Sequence, residues 1–153
     1  MLAAAGMDTH ALDRASTAAI ELAEMRAWSD MYAAAPARWA ARAGVGTAEL
    51  GGALVLRWAA TGRRYFLRAI GLGLTRPATP AAIEEILSFW DEHGIDMFLM
   101  QSLPGCAPGQ YEQWLRERGM RPFDAQDRIV GQGSPPPRER TGRAPAGSSW
   151  SVS

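Results

Sequence analysis

Arg68-Ala69-Ile70-Gly71-Leu72-Gly73 is the stretch on which the fold turns. It ends the second of two strand-like runs, Ala53-Leu54-Val55-Leu56-Arg57-Trp58 and Tyr65-Phe66-Leu67-Arg68-Ala69-Ile70. Thr61-Gly62 between them is a turn signal, so 53–59 and 64–72 are expected to pair as an antiparallel hairpin. Beyond the glycines, Thr79-Pro80 has the chemistry of a helix start, a hydroxyl cap followed by proline at the first helical position. Ile83, Ile86, Leu87 and Trp90 then recur at helical spacing while Glu84, Glu85, Asp91 and Glu92 face away, and Gly94 supplies the left-handed stop. The run over 95–103 is apolar on both faces around Met97-Phe98-Leu99-Met100, as a strand covered on both sides must be. Pro108 opens a second helix through Tyr111, Trp114 and Leu115, closed by Gly119, and a last, weaker strand is expected over 123–130.

Upstream, Asp8 or Thr9 can cap a long helix reaching about Ala34. Its apolar positions include Leu12, Ala15, Ala19, Leu22, Ala23 and Tyr32, widened by Ile20, Met25 and Trp28, so it is expected to pack on a sheet. Pro36 ends it, a short helix over Ala37–Ala43 follows, and Gly44, Gly46, Gly51 and Gly52 read as a flexible joint. The order α-α-β-β-α-β-α-β predicts an α/β (α+β) domain, a mixed twisted sheet with helices on both faces. Residues 1–46 form the helical lead, 47–130 the sheet domain, and 131–153, rich in Gly, Ser, Pro and Arg, a disordered tail.

Composition narrows the function. The 153 residues, 47% of them hydrophobic, suffice for one domain with a real core. Sixteen basic residues balance sixteen acidic ones, so no net field draws in nucleic acid or an anionic membrane. There is no lysine; every fixed positive charge is an arginine. One cysteine excludes an intramolecular disulfide framework. Neither a signal peptide nor a run of ~20 apolar residues is present, and the expected location is the cytoplasm.

The segment over 51–130 resembles the Gcn5-related N-acetyltransferase (GNAT) superfamily, most closely the degenerate N-terminal lobe of its two-lobed members. The residues that carry the resemblance are Arg68-Ala-Ile-Gly71-Leu-Gly73, Pro77-Ala-Thr79, Glu92-His93-Gly94 and Trp114-Leu115-Arg-Glu-Arg-Gly119-Met120-Arg121-Pro122. The resemblance implies transfer of an acetyl group from acetyl-CoA to an amine, without a metal. In that family an R/Q-x-x-G-x-G/A string lies where the fourth strand gives way to a helix, and its bare amides hold the cofactor's diphosphate at a positive helix end. Arg68, Gly71 and Gly73 match those positions.

Two features depart from the family's pattern. Leu74 to Ala78 separates Gly73 from the cap at Thr79, and at ~3.3 Å per extended residue that gap can exceed 10 Å. The position four residues before Gly119, a tyrosine acid in the family, is Leu115; Tyr111, one turn earlier, is the displaced candidate for the general acid. The competing reading of the string is that its glycines bend a strand or fit under the first helix while Arg68 pairs with an acid. Cys106 has no His or Asp spaced to activate it, and His10 and His93 make no metal set. Three readings stay open: an acetyltransferase with a small-molecule amine as acceptor, a non-catalytic GNAT-like module for binding or homodimerisation, and a regulatory protein engaging a protein partner through the first helix. Neither nucleic acid nor membrane is an expected partner.

Overall fold

The computed structural model describes residues 14–103, 106, 108–125 and 148–151. They form a mixed α/β sandwich in the order α1 (Arg14–Ala33), α2 (Ala37–Ala43), β1 (Val45–Leu50), β2 (Ala53–Trp58), β3 (Arg68–Ile70), α3 (Pro80–Glu92), β4 (Leu99–Ser102), α4 (Tyr111–Glu117), β5 (Arg121–Ala125) and β6 (Ser148–Ser151). The sheet order is β1-β2-β3-β4-β6-β5. Every neighbouring pair is antiparallel except β3 and β4, which run parallel because α3 carries the chain back across the sheet.

Alternation along the strands divides the core between two faces. Val55, Ala69 and Met100 point to one side, where Ile83, Ile86 and Trp90 of α3 and Tyr111 and Leu115 of α4 close over them. Leu54, Leu56 and Ile70 point to the other and meet Tyr32, Met25 and Trp28 of α1. All four residues of β4 are buried, as the reading of that run requires. On the α3 side Trp90 stacks on Phe98 at 4.1 Å and its indole N–H donates to the Leu56 carbonyl at 3.3 Å. Glu84 of α3, exposed as expected, joins Arg118, just beyond α4, at 2.6 Å and so links the two helices at the surface.

Several expectations are corrected. The glycine-rich joint is in fact a strand: Val45–Leu50 pairs residue for residue with β2, and Gly51 and Gly52, both at positive φ, make the tight turn between them. The hairpin expected after Trp58 opens instead through two 3-10 turns, Ala59–Thr61 and Arg64–Phe66, which leave only Arg68–Ile70 as β3. The strand expected over 95–103 shortens to β4. Its successor begins earlier, at Arg121; residues 126–130 lie outside the described set. Ser148–Ser151, inside the stretch read as tail, is β6, paired with both β4 and β5. Asp8, Thr9, His10, Leu12 and residues 131–147 lie outside the described residues.

The inward stripe of α1 also differs from the expected one. Ala15, Ala19 and Ala23 face solvent, whereas Glu21, Glu24, Met25, Trp28 and Tyr32 face the sheet. Two acids therefore enter the interior, and what they meet there is the site.

Candidate functional site

Arg68 is the centre of that site. β3 points its side chain to the α1 face, where it is 3% exposed. One guanidinium nitrogen donates to Gln101 Oε1 at 3.0 Å and the other to Glu24 Oε1 at 3.0 Å. Gln101 stands on β4 and passes its own amide hydrogen to Glu21 Oε1 at 2.6 Å. Two rings lie against the guanidinium as well, Trp28 at 4.5 Å and Tyr65 at 4.2 Å from its central carbon to the ring centroids, the two rings themselves meeting edge to face at 5.6 Å. Trp28 donates its indole N–H to Glu24 at 3.1 Å, which fixes that carboxylate where the arginine needs it. An arginine suits this position because its planar fork can bond two acceptors while aromatic rings pack against the cation.

Gly71 follows at φ +86°, a backbone conformation that L side chains rarely adopt. A side chain there would drive into the thioether of Met25, so α1 lies directly on this residue. Gly73, at φ +81°, is buried too, and the Leu74 amide closes the turn onto the Gly71 carbonyl at 3.1 Å. Among the described residues, no backbone hydrogen bond outside the strand ladders is donated by the amides of Gly71, Leu72 or Gly73. The helix after them starts separately: the Thr79 hydroxyl accepts from the Ala82 amide at 3.1 Å and so caps α3 itself. The β3–β4 ladder is two residues long, Arg68 with Leu99 and Ala69 with Met100, and the strands part where Gly71 turns the chain away.

Tyr111, the candidate acid, occupies the opposite face, 2% exposed under α4. Among the described residues its hydroxyl has no hydrogen-bond partner. Burial, reinforced by Cys106 and Glu112, holds its pKa far above the ordinary tyrosine range, so it keeps its proton at any physiological pH. Leu115, the position a family tyrosine would take, is fully buried core. Cys106 accepts from the Leu103 amide at 3.3 Å; burial raises its thiol pKa despite that bond, and Glu21 and Glu112 add to the rise. A thiol held protonated among carboxylates is a poor nucleophile. His93 caps the C-terminal end of α3, its Nδ1 2.6 Å from the Phe89 carbonyl. Among the described residues no group of three metal-ligating side chains converges, and no helix is long and apolar enough to cross a membrane.

Arg68 and Gly71 are thus brought together, but under α1, while Tyr111 lies across the sheet from them. Glu21, Glu24, Gln101, Trp28 and Tyr65 complete the Arg68 site and do not stand out in the sequence. The one local signal is the spacing of Glu21, Glu24 and Trp28, which places two acids on the same helical face as an aromatic. In comparisons with protein-family models, curated proteins and solved structures, nothing matches this chain.

Proposed function

We propose that this chain is a GNAT-like lobe that binds rather than acetylates, a non-catalytic module on an acetyltransferase frame. The frame is supported by the single parallel pair β3–β4, joined through α3 inside an otherwise antiparallel sheet and splitting just beyond Ala69 and Met100. The observation that carries the loss of chemistry is the seat of Arg68. Each of its two terminal nitrogens already donates inside the fold, to Gln101 and to Glu24, and the rings of Trp28 and Tyr65 lie against the guanidinium, so it is committed to the interior rather than held out to a diphosphate. Gly71 is closed over by Met25, Thr79 has capped α3, and Tyr111 is sealed in the opposite layer. These residues do not make an open cradle for acetyl-CoA.

The acetyltransferase reading has one observation in its favour, the amides of Gly71, Leu72 and Gly73 that the backbone bonds described above leave unused beside a split sheet. The two readings separate in a thermal-shift titration of the full chain with acetyl-CoA and with CoA. A ligand at ~100 times its Kd stabilises a protein by ~2.7 kcal/mol. The binding-module reading expects no movement of Tm at millimolar cofactor. A saturable rise would overturn it in favour of the transferase.

A further inference from the structure

On the α1 side, beyond Tyr32, the C-terminal turn of α1, α2 and the sheet edge enclose a groove of about 300 Å³. Its walls are Met31, Tyr32, Trp39, Val45, Trp58 and Phe66, with Ala34 and Ala35 beside them. Trp39 and Trp58 meet edge to face at 5.3 Å, and Trp58 leans on Phe66 at 4.9 Å, so the floor is rigid and aromatic. The groove is open to water: Met31 is 49% and Trp39 38% exposed.

We propose that this groove binds a small anionic amphiphile, a hydrocarbon chain bearing a carboxylate, with the chain against the aromatic floor and the carboxylate on the arginines of α2. The lining admits only an apolar body. Its one hydroxyl, on Tyr32, already donates to the Phe66 carbonyl at 2.7 Å, and the only other polar side-chain atoms among the lining residues are the indole nitrogens of Trp39 and Trp58, so the lining is almost wholly hydrocarbon and aromatic. The helix that supplies Trp39 to the wall sets the charge of the head. α2 carries Arg38 and Arg42 and no acid, both arginines are exposed, and Arg42 stands one turn from Trp39 on the helix surface. The ion pairs among the described residues, Arg68–Glu24, Arg116–Glu112 and Arg118–Glu84, include neither. The nearest exposed acid on α1 is Asp30, one charge against two.

Size and charge also decide between occupants. About 300 Å³ is the lower end of the range for small-molecule sites, too little for the several anchors of a docked helix. A second copy related by a twofold axis would bring its own Arg38 and Arg42 against these, and like charges facing across an interface oppose association.

The test is a titration of the full chain with decanoate and with 1-decanol, both below the concentrations at which they aggregate, followed by tryptophan fluorescence. Saturable quenching is expected, with decanoate bound about five- to tenfold more tightly than the alcohol. Arg42→Glu should abolish that preference and leave decanol binding unchanged. Ala35→Phe, which fills the groove, should remove binding of both, with far-UV circular dichroism checking its fold; if it does not fold, the exposed Arg42→Glu variant still decides. Equal affinity for acid and alcohol, no saturable signal, or wild-type preference in Arg42→Glu would each overturn the proposal. Dissociation of a dimer by Ala35→Phe would do the same, since the occupant would then be a second copy.

Discussion

Arg68 and Tyr111 are both buried polar side chains, and they are satisfied to different degrees: two nitrogens of Arg68 are bonded and, among the described residues, its Nε is not, whereas Tyr111 has a single hydroxyl to satisfy. Arg68 bonds Glu24 and Gln101, and Gln101 bonds Glu21, so each charge brought inside meets an acceptor or a donor. The Tyr111 hydroxyl has no partner among the described residues, and a buried hydroxyl left in that state costs about 1–3 kcal/mol. Tyr111→Phe is therefore expected to match or exceed the wild type by about 1 kcal/mol in urea denaturation at pH 8, where a general acid would instead be missed only in activity. The same residue has a pH signature. Its folded pKa lies above the ordinary value of 10.0, so its contribution is intact below that pH. As pH rises past it, the unfolded chain releases the proton while the folded chain keeps it, and stability falls by up to ~1.4 kcal/mol per pH unit for each such tyrosine. Tyr32, raised by burial despite the nearby Arg68, adds a second. Cys106, also raised, begins to contribute nearer pH 9. With no lysine in the chain, few other side chains titrate in this window, so Tyr111→Phe should visibly flatten the alkaline loss. An unchanged slope between pH 10 and 11 would contradict the buried setting of Tyr111.

Among the elements, α3 rests most on local chemistry. The Thr79 hydroxyl satisfies one orphan amide, Pro80 has no amide to satisfy, and Ile83, Ile86 and Trp90 are fully buried. Thr79→Ala should cost about 1 kcal/mol, read as a lower urea midpoint at unchanged slope; a neutral result would mean that packing alone holds the helix start. That helix was legible because cap, period and stop all lie within its own residues. β1 was not. Val45-Gly-Thr-Ala-Glu-Leu50 has two glycine or alanine positions and no apolar run, and only its ladder with β2 makes it a strand. The inward face of α1 was misread for a related reason. Alanines at 15, 19 and 23 look apolar, yet Glu21 and Glu24 bury because Gln101 and Arg68, 80 and 44 residues away in sequence, are there to receive them. Spacing within a helix carries no information about a partner on another strand. The string Arg68-x-x-Gly71-x-Gly73 was legible in its competing reading, glycines fitted under the first helix and Arg68 paired with an acid, but not which residues of α1 would do this, Met25 over Gly71 and Glu24 on Arg68, since that depends on how α1 lies across β3.

For the molecule as a whole, closure of the sheet depends on its last described strand. β6 lies between β4 and β5, and without it neither would have its antiparallel neighbour on that side. Its sequence, Ser-Ser-Trp-Ser, has little intrinsic claim to be a strand, so the neighbours must supply the order: four register pairs to β4 and four to β5. Ser151 is buried, and its hydroxyl accepts from Arg64 at 3.2 Å, linking this strand to the turn that leads into β3. Removing residues 148–153 would take away one whole ladder on each side and bare the fully buried residues of β4 to an open edge. Against a typical total of 5–15 kcal/mol, a loss of several hydrogen-bonded pairs is a large fraction, so the shortened chain should melt well below the full one or fail to fold. Hydrogen exchange gives the same answer without a truncation. The backbone amides of Ser148–Ser151 that face β4 and β5 should be protected to a degree comparable with β2, and exchange at the rate of free peptide would show that the tail takes no part in the sheet.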